Sequence, residues 1–346
     1  MRILHVVGGL DTGGIENWLL GYFNIAKRNG MEMDVLTCDT NKLSLIENEA
    51  FNKSNVIIPR SNNIFSRISI LIRVLLKNNY DAVHCHTDLS TSIYFVIAKV
   101  FSKSKLICHS HTDRRIIEKN ANSLRKIYIC ISKILIVKLG DSLVAVSKAA
   151  GESLYLNGFS VEYCGVEVNL EKIKDPALED LDGKKLIFHI GRLSKPKNHY
   201  FILDLAEKFR NETDFHFIMI GDGEERENLF KYYERLGINN VTFLGQRNDV
   251  HAILWSYEGL VILPSLWEGL PLSLIESQKC GKNCLTSTNV TKEVNVGGVR
   301  FLPLDLDSWF DSIHMYNFKD KFHFDGDDSV FSYKSNIDYF KSIYKS

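Results

Sequence analysis

An α/β protein with two doubly wound parallel sheets is predicted by three features of the sequence. Short, continuously apolar segments alternate with segments whose apolar residues recur at helical spacing. The apolar segments lack the in–out alternation of half-exposed strands, so helices should cover both faces of each sheet. The alternation also begins afresh near the middle of a chain whose 346 residues suffice for two cores.

The first domain opens with a strand over 2–7, a glycine-rich loop over 8–14 and a helix over 15–28. Ile15, Trp18, Leu19, Tyr22, Phe23 and Ala26 share one face of that helix, and Asn29-Gly30 ends it. A strand over 33–37, a helix over 68–77, a strand over 82–85, a helix over 90–101 and a strand over 106–109 follow. The strand over 142–147 ends in Ser147, which can cap a helix over 148–156. Residues 157–166 break that helix, carry a short strand and place a domain boundary near residue 165.

The second domain restarts with a strand over 185–190, a helix over 200–209, a strand over 215–220, a helix over 224–236 and strands over 241–244 and 260–263. A further helix begins at Pro271, because proline favours the first helical position. Val330, Tyr333, Ile337, Phe340 and Tyr344, three and four apart, predict an amphipathic tail helix with an aromatic face. Periodicity alone leaves open which domain that helix covers.

Composition narrows the function. With 45% hydrophobic and 24% charged residues, the chain is neither disordered nor fibrous, and its zero formal charge argues against nucleic-acid binding. Seven cysteines without a Cys-x-x-Cys pair read as small buried hydrophobes in a reducing compartment. Cys280 and Cys284 are followed by no histidine pair at zinc-finger spacing. The opening apolar run is short for a signal peptide and no stretch has membrane-spanning length, so a cytoplasmic location is expected.

The densest chemistry lies in Ser265-Leu266-Trp267-Glu268-Gly269-Leu270-Pro271-Leu272-Ser273-Leu274-Ile275-Glu276. Its two glutamates flank a helix N-terminus, where the backbone N–H groups of Gly269, Leu270 and Leu272 and the helix dipole suit a phosphate. Carboxylates beside an anion site need uncharged partners, and sugar or ribose hydroxyls fit, donating charge-assisted hydrogen bonds to them. Arg192 and Lys197 lie five apart just past the strand over 185–190, placed to hold a diphosphate and neutralise it as it leaves. Asp222 shapes a turn in which Gly221 and Gly223 keep the cleft clear. The loop Gly8-Gly9-Leu10-Asp11-Thr12-Gly13-Gly14 can let a ligand approach, but lacks the dinucleotide fingerprint and the P-loop lysine.

In these motifs the chain resembles the retaining GT-B glycosyltransferases of family 4, most strongly over 186–293 and in the subgroup that builds capsular and exopolysaccharides. The resemblance implies two Rossmann-like domains facing each other across a cleft: an acceptor-binding domain over 1–165 and a nucleotide-sugar-binding domain over 166–328. It also implies that the tail helix, 329–346, crosses back to the first. It implies that Gly13 and Gly14 sit near the donor diphosphate and His109 against the donor sugar. In that scheme the backbone of the loop Phe243-Leu244-Gly245-Gln246-Arg247 meets the base, with Arg247 a candidate contact, while Glu268 meets the donor-sugar hydroxyls and Glu276 the ribose. The implied reaction moves a sugar from a nucleotide donor, expected to be UDP-linked, to a hydroxyl of a growing, lipid-linked glycan with retention. Neither glutamate need be a covalent nucleophile. A nucleotide-sugar epimerase and a silent binding or chaperone subunit use the same fold.

No metal and no cofactor are expected. Asp305-Leu306-Asp307 and Asp325-Gly326-Asp327 have Asp-x-Asp spacing but read as turn residues, far from any pocket. His84 and His86 read as domain-interface residues, since no third ligand has recognisable spacing. Between Lys99 and Lys138, ten lysines and arginines against two acidic residues are interleaved with apolar runs. Two readings fit: a surface resting on anionic lipid, or a buried helix with a basic edge.

Overall fold

The computed structural model describes residues 1–11, 13–43, 55–155, 157–320, 322–323 and 329–345. It divides into two compact units, Met1–Val166 with Asp328–Ser346, and Glu167–Asp327. In the first, strands β1 (Arg2–Val7), β2 (Glu32–Thr37), β3 (Asn55–Ile57), β4 (Ala82–Cys85), β5 (Lys105–Ser110), β6 (Ser142–Ala145) and β7 (Ser160–Val161) form one sheet. Every pair is parallel, in the order β3-β2-β1-β4-β5-β6-β7. Helices α1 (Gly14–Arg28), α2 (Ile64–Lys77), α3 (Thr91–Phe101), α4 (Arg115–Lys119), α5 (Ser123–Leu139) and α6 (Lys148–Leu154) make the crossovers. All four residues of β4 and the last five of β1, β2 and β5 are buried, as continuous apolar runs require.

Local chemistry sets the helix ends. α2 starts four residues before its periodicity becomes clear because Asn63 caps it, its Oδ1 accepting from Ser66 N at 2.7 Å. Ser147 caps α6 as expected, its Oγ accepting from Ala150 N at 3.1 Å. A 3-10 turn over Asp88–Ser90 precedes α3, and Asp88 takes the left-handed φ of 46° there. The buried-helix reading of the basic region is corrected. α5 buries Ile129, Ser132 and Ile136, while Leu124, Ile127, Ile131 and Ile134 form an exposed stripe.

The second unit contains β8 (Lys185–Ile190), β9 (Phe215–Ile220), β10 (Val241–Gly245), β11 (Leu260–Leu263), β12 (Cys284–Ser287) and β13 (Val299–Leu302), all parallel, in the order β10-β9-β8-β11-β12-β13. Helices α7 (His199–Lys208), α8 (Arg226–Leu236), α9 (Val250–Ser256), α10 (Leu272–Lys279) and α11 (Leu306–His314) accompany them. Phe209, Phe217, Ile262 and Trp309 anchor the core. Pro271 stands at the N-cap of α10, one position earlier than expected. Asp305 is a helix cap, accepting from Ser308 N at 2.9 Å, and Asp307 lies in the first turn of α11, paired with Lys208. The turn reading of this pair is therefore corrected to a helix start. Asp325 and Asp327 lie outside the described residues.

The tail forms α12 (Tyr333–Lys345), which packs on α1 of the first unit. Tyr333, Ile337, Phe340 and Tyr344 are buried as their spacing predicts, and Val330 is exposed. Gly21 permits the approach, since a Cβ there would lie 2.1 Å from the Tyr333 hydroxyl. Asn336, fully buried, fastens the helix. Its Oδ1 accepts from Trp18 Nε1 at 2.8 Å and Gly165 N at 2.7 Å, while Nδ2 donates to Glu162 at 2.6 Å and the Tyr163 carbonyl at 2.7 Å.

Two of the buried histidines of the second unit face each other. His189 Nδ1 donates to the Ile262 carbonyl at 3.0 Å, so its Nε2 accepts from His199 Nε2, also at 3.0 Å. Burial lowers the pKa of His189 from 6.5 to about 3 and of His199 to about 2, with Lys197 adding to both shifts. A histidine kept neutral on folding binds fewer protons than in the unfolded chain, so stability is full above pH 6.5 and falls below it.

Two outcomes follow. Asn336→Leu strands the indole, amide and carbonyl groups it served, and should lower denaturant stability by roughly 2–4 kcal/mol; a loss below about 0.5 kcal/mol would contradict the clasp. Between pH 7.5 and 5.5 each buried histidine of the pair should cost about 1.4 kcal/mol, so His199→Gln should flatten the stability–pH curve by that amount. An unchanged curve would mean that His199 is not held neutral.

Candidate functional site

In the second unit, strand order reverses between β8 and β11: β9 and β10 extend to one side, β12 and β13 to the other. Successive crossovers then leave in opposite directions, which opens a crevice at the carboxyl ends of the two central strands. The residues that follow β8 and β11 line this position. Asn198 Nδ2 donates to the Pro264 carbonyl at 3.1 Å, and Leu266 N to the Pro196 carbonyl at 2.8 Å. These bonds tie one loop to the other across the reversal. Asn198 takes φ 56°, a left-handed conformation that asparagine tolerates well.

On this frame Lys197 and Glu268 meet. Lys197 Nζ lies 2.7 Å from Glu268 Oε1, and the two side chains are 17% and 13% exposed. Ser265 Oγ donates to the same oxygen at 2.7 Å, fixing the carboxylate. Sequence reasoning singled out the pair but missed Ser265, whose position three residues before Glu268 was the available signal. Arg192 leaves β8 through Gly191 and pairs with Glu224 at 3.0 Å, its side chain 33% exposed. Gly221 closes in behind: its φ is 141°, and a Cβ would lie 2.0 Å from the Gly191 carbonyl oxygen. Any larger residue would displace the segment that carries Arg192.

Gly269, Leu270 and Pro271 lead from Glu268 into α10, with Leu270 buried. Glu276 lies in α10 with its side chain about one-quarter exposed, 3.8 Å from His251 Nε2. The Arg247 guanidinium fork holds Asp249 through two bonds of 2.8 and 2.7 Å and Asp175 at 2.7 Å. The Asp249 hydrogen bonds, more than the burial that opposes them, raise its pKa further. Asp175, nearly fully buried, was not singled out in the sequence, because its partner is 72 residues away.

The first unit repeats the device. Its strand order reverses between β1 and β4. A cavity of about 300 Å³ lies there, lined among others by Gly8, Asp39, Arg67, His86, Asp88 and Tyr94. Arg67 Nε is buried and without a hydrogen-bond partner among the described residues. Asp88 pairs with Arg114 at 3.0 Å. Gly13 is the N-cap of α1, and a Cβ on Gly14 would meet nothing within 4 Å.

The histidines behave differently from expectation. His109 is fully buried within this unit, against Trp18, His84, His111 and Phe340. It has no exposed edge in this structure. His84 is equally buried, with Nδ1 2.7 Å from the Tyr344 hydroxyl, and is a core residue rather than an interface one. His86 is 5% exposed and lines the cavity.

Comparison with known proteins agrees with this construction. Residues 12–169 match the model of Glycosyltransferase Family 4, and residues 171–296 that of Glycosyl transferases group 1. The chain is 25% identical over 317 residues to EpsF of Bacillus subtilis (strain 168), named as a glycosyltransferase, covering 86% of this chain and 81% of that one. It is 26% identical over 235 residues to the UDP-Gal:alpha-D-GlcNAc-diphosphoundecaprenol alpha-1,3-galactosyltransferase of Escherichia coli, covering 63% of this chain and 60% of that one. The crystal structure of Anabaena HepE in complex with UDP-glucose superposes with a TM-score of 0.73 at 18% identity, covering 99% and 94% of the two chains. The reversed parallel sheets, the two consecutive family matches and the shared architecture lead to one conclusion: the chain belongs to the family 4, group 1 glycosyltransferases of GT-B fold.

Proposed function

We propose that this glycosyltransferase takes a sugar from a UDP-linked donor and places it, with retention at the anomeric carbon, on a hydroxyl of a lipid-linked glycan in cell-surface polysaccharide synthesis. The observation that carries this reading is the 2.7 Å contact of Lys197 with Glu268 at the strand-order reversal. A lysine held there by a carboxylate is an ammonium already desolvated and aimed. A diphosphate, with more negative charge than one carboxylate, draws that ammonium to itself. Glu268 is then released to accept hydrogen bonds from sugar hydroxyls, while Ser265 keeps it in place.

Arg192 supplies the second cation on the diphosphate, and together the two charges stabilise the leaving group as the glycosidic bond breaks. Glu276 takes the ribose hydroxyls. The turn through Gly269, Leu270 and Pro271 brings the positive end of α10 toward the phosphates. Gly13 and Gly14 are proposed donor-binding residues of the first unit, where a Cβ on Gly14 would meet nothing within 4 Å. In this scheme catalysis is positioning and charge stabilisation, and neither glutamate forms a covalent bond to the sugar.

The acceptor reading rests on the Escherichia coli relative, whose name gives a diphosphoundecaprenol acceptor, and on α5. Leu124 is 80% exposed and Ile127, Ile131 and Ile134 are more than half exposed, on the helix that carries Arg125, Lys126, Lys133 and Lys138. Apolar side chains beside cations suit the interface of an anionic bilayer, on its cytoplasmic face. No helix among the described residues is long and apolar enough to cross a membrane.

UDP should raise the melting temperature of the purified chain, and Lys197→Ala should abolish that rise. Glu268→Ala should keep UDP binding but lose transfer by at least about a hundredfold across a panel of UDP- and GDP-sugars. Epimerised donor without acceptor would favour the epimerase. Equal background turnover by wild type and Glu268→Ala, with UDP-sugar still bound, would favour a binding subunit. In a separate test, Ile127→Asp with Ile131→Asp should reduce co-sedimentation with phosphatidylglycerol vesicles several-fold. Undiminished binding would remove α5 from the membrane contact.

A further inference from the structure

Five histidines meet inside the first unit: His5 on β1, His84 on β4, His86 just past it, His109 on β5 and His111 just past that. Ring centroids of His84 and His86 are 4.3 Å apart, and those of His109 and His111 4.1 Å. His86 is the hub. Its Nε2 lies 3.0 Å from His5 Nδ1, and its Nδ1 2.9 Å from His111 Nε2. Two imidazole nitrogens at such a distance share one proton. Elsewhere the cluster is poorly served: His5 Nε2, His84 Nε2 and both nitrogens of His109 are buried without a hydrogen-bond partner among the described residues. A buried polar atom without a partner is costly, and several together call for a ligand.

We propose that His86, His109 and His111 bind one divalent transition-metal ion of the zinc class. One ring nitrogen from each lies within 4.8 Å of the others. Nitrogens bound at about 2.0–2.1 Å in a tetrahedral site stand about 3.3 Å apart. The ion thus takes the place of the proton between His86 and His111 with a small opening of that contact. His109 gains a partner for a nitrogen that lacks one. His86 Nε2, turned to His5, gives the outer hydrogen bond that fixes the tautomer of a metal-bound histidine. Asp88 supplies counter-charge: its carboxylate accepts from the backbone N–H of His111, and its Oδ1 is buried and unpartnered among the described residues.

His5, His84 and His86 form a second trio within the same distance. Because it shares His86, the two trios cannot both be filled through the same nitrogen. The outer trio is favoured by access: His111 and His86 are 9% and 5% exposed and His86 lines the cavity, whereas His5 and His84 are fully enclosed. His84 Nδ1 is also engaged by the Tyr344 hydroxyl. Three imidazoles leave a fourth coordination position for water or for a group in the cavity. This site is independent of the transferase assignment.

The test uses the full chain, stripped with a chelator and titrated with Co²⁺. One Co²⁺ per chain should bind, with visible ligand-field bands of a four-coordinate site, displacement by Zn²⁺ and a raised melting temperature. His109→Gln and His111→Gln should each weaken binding at least about a hundredfold. His5→Leu should cost about 10–100-fold through the lost outer hydrogen bond, and His84→Gln should leave affinity within about threefold. Should the glutamine variants fail to fold, as judged by circular dichroism, His111→Cys keeps a ligand and must add a thiolate-to-metal charge-transfer band. Absence of stoichiometric Co²⁺ uptake by the wild type overturns the proposal. So does loss of binding in His84→Gln with retention in His109→Gln, or His111→Cys binding without the new band.

Discussion

The reversal of strand order in each parallel sheet is the constraint on which the rest of the structure depends. A crossover must be right-handed, so growth of the sheet to one side of β8 puts helices on one face, and growth to the other side puts them on the opposite face. Between β8 and β11 the two loops part, and backbone ends there without a neighbouring crossover above it. Polar groups placed in such a gap can face a ligand while their backbones stay anchored in a buried sheet. Lys197 and Glu268 are anchored in this way, and the two hydrogen bonds between their loops hold them in register. The pair is a partly desolvated charge contact, whose worth for stability is small after the cost of dehydration. Its value lies in holding both groups ready.

In the first unit the same reversal makes the cavity, but the neighbouring strands carry imidazoles where an ordinary sheet would carry valine or isoleucine. His5, His84 and His109 are fully buried, and burial is what holds their pKa values far below the usual histidine range. Well-packed apolar side chains would serve the fold better than imidazoles that each leave at least one buried nitrogen without a partner among the described residues. α12 seals the cluster from one side with Phe340 and Tyr344, and Asn336 locks that helix through partners in two chain segments, α1 and residues 162–165. Chain beyond the second unit thus completes the core of the first.

Much of this could be read from the sequence, and the failures have identifiable causes. Strands such as 185–190 and 215–220 were legible to the residue because buried parallel strands are continuous apolar runs. β12, Cys284-Leu285-Thr286-Ser287, escaped notice because half of it is polar; Thr286 is accommodated by donating to the Leu263 carbonyl at 2.8 Å. α9 and α11 are short and mix tryptophan with polar residues, which blurs their period. The positions of Arg192, Lys197 and Glu268 past the ends of β8 and β11 were legible because both strands are continuous apolar runs, while the contact between Lys197 and Glu268 was not. Arg247 and His109 lie at strand ends too, but their surroundings come from residues distant in sequence: Asp175 for the arginine, Trp18 and Phe340 for the histidine. The histidine cluster was invisible for the same reason, since its spacing along the chain follows no ligand pattern.

The central claim is that the crevice between β8 and β11 receives a nucleoside diphosphate. Amide hydrogen exchange on the full chain, with and without saturating UDP, tests it directly because exchange reports local opening segment by segment. Slowed exchange confined to residues 191–198 and 265–276 is the result the account predicts. Bound UDP that leaves both segments unchanged and protects another surface would contradict it.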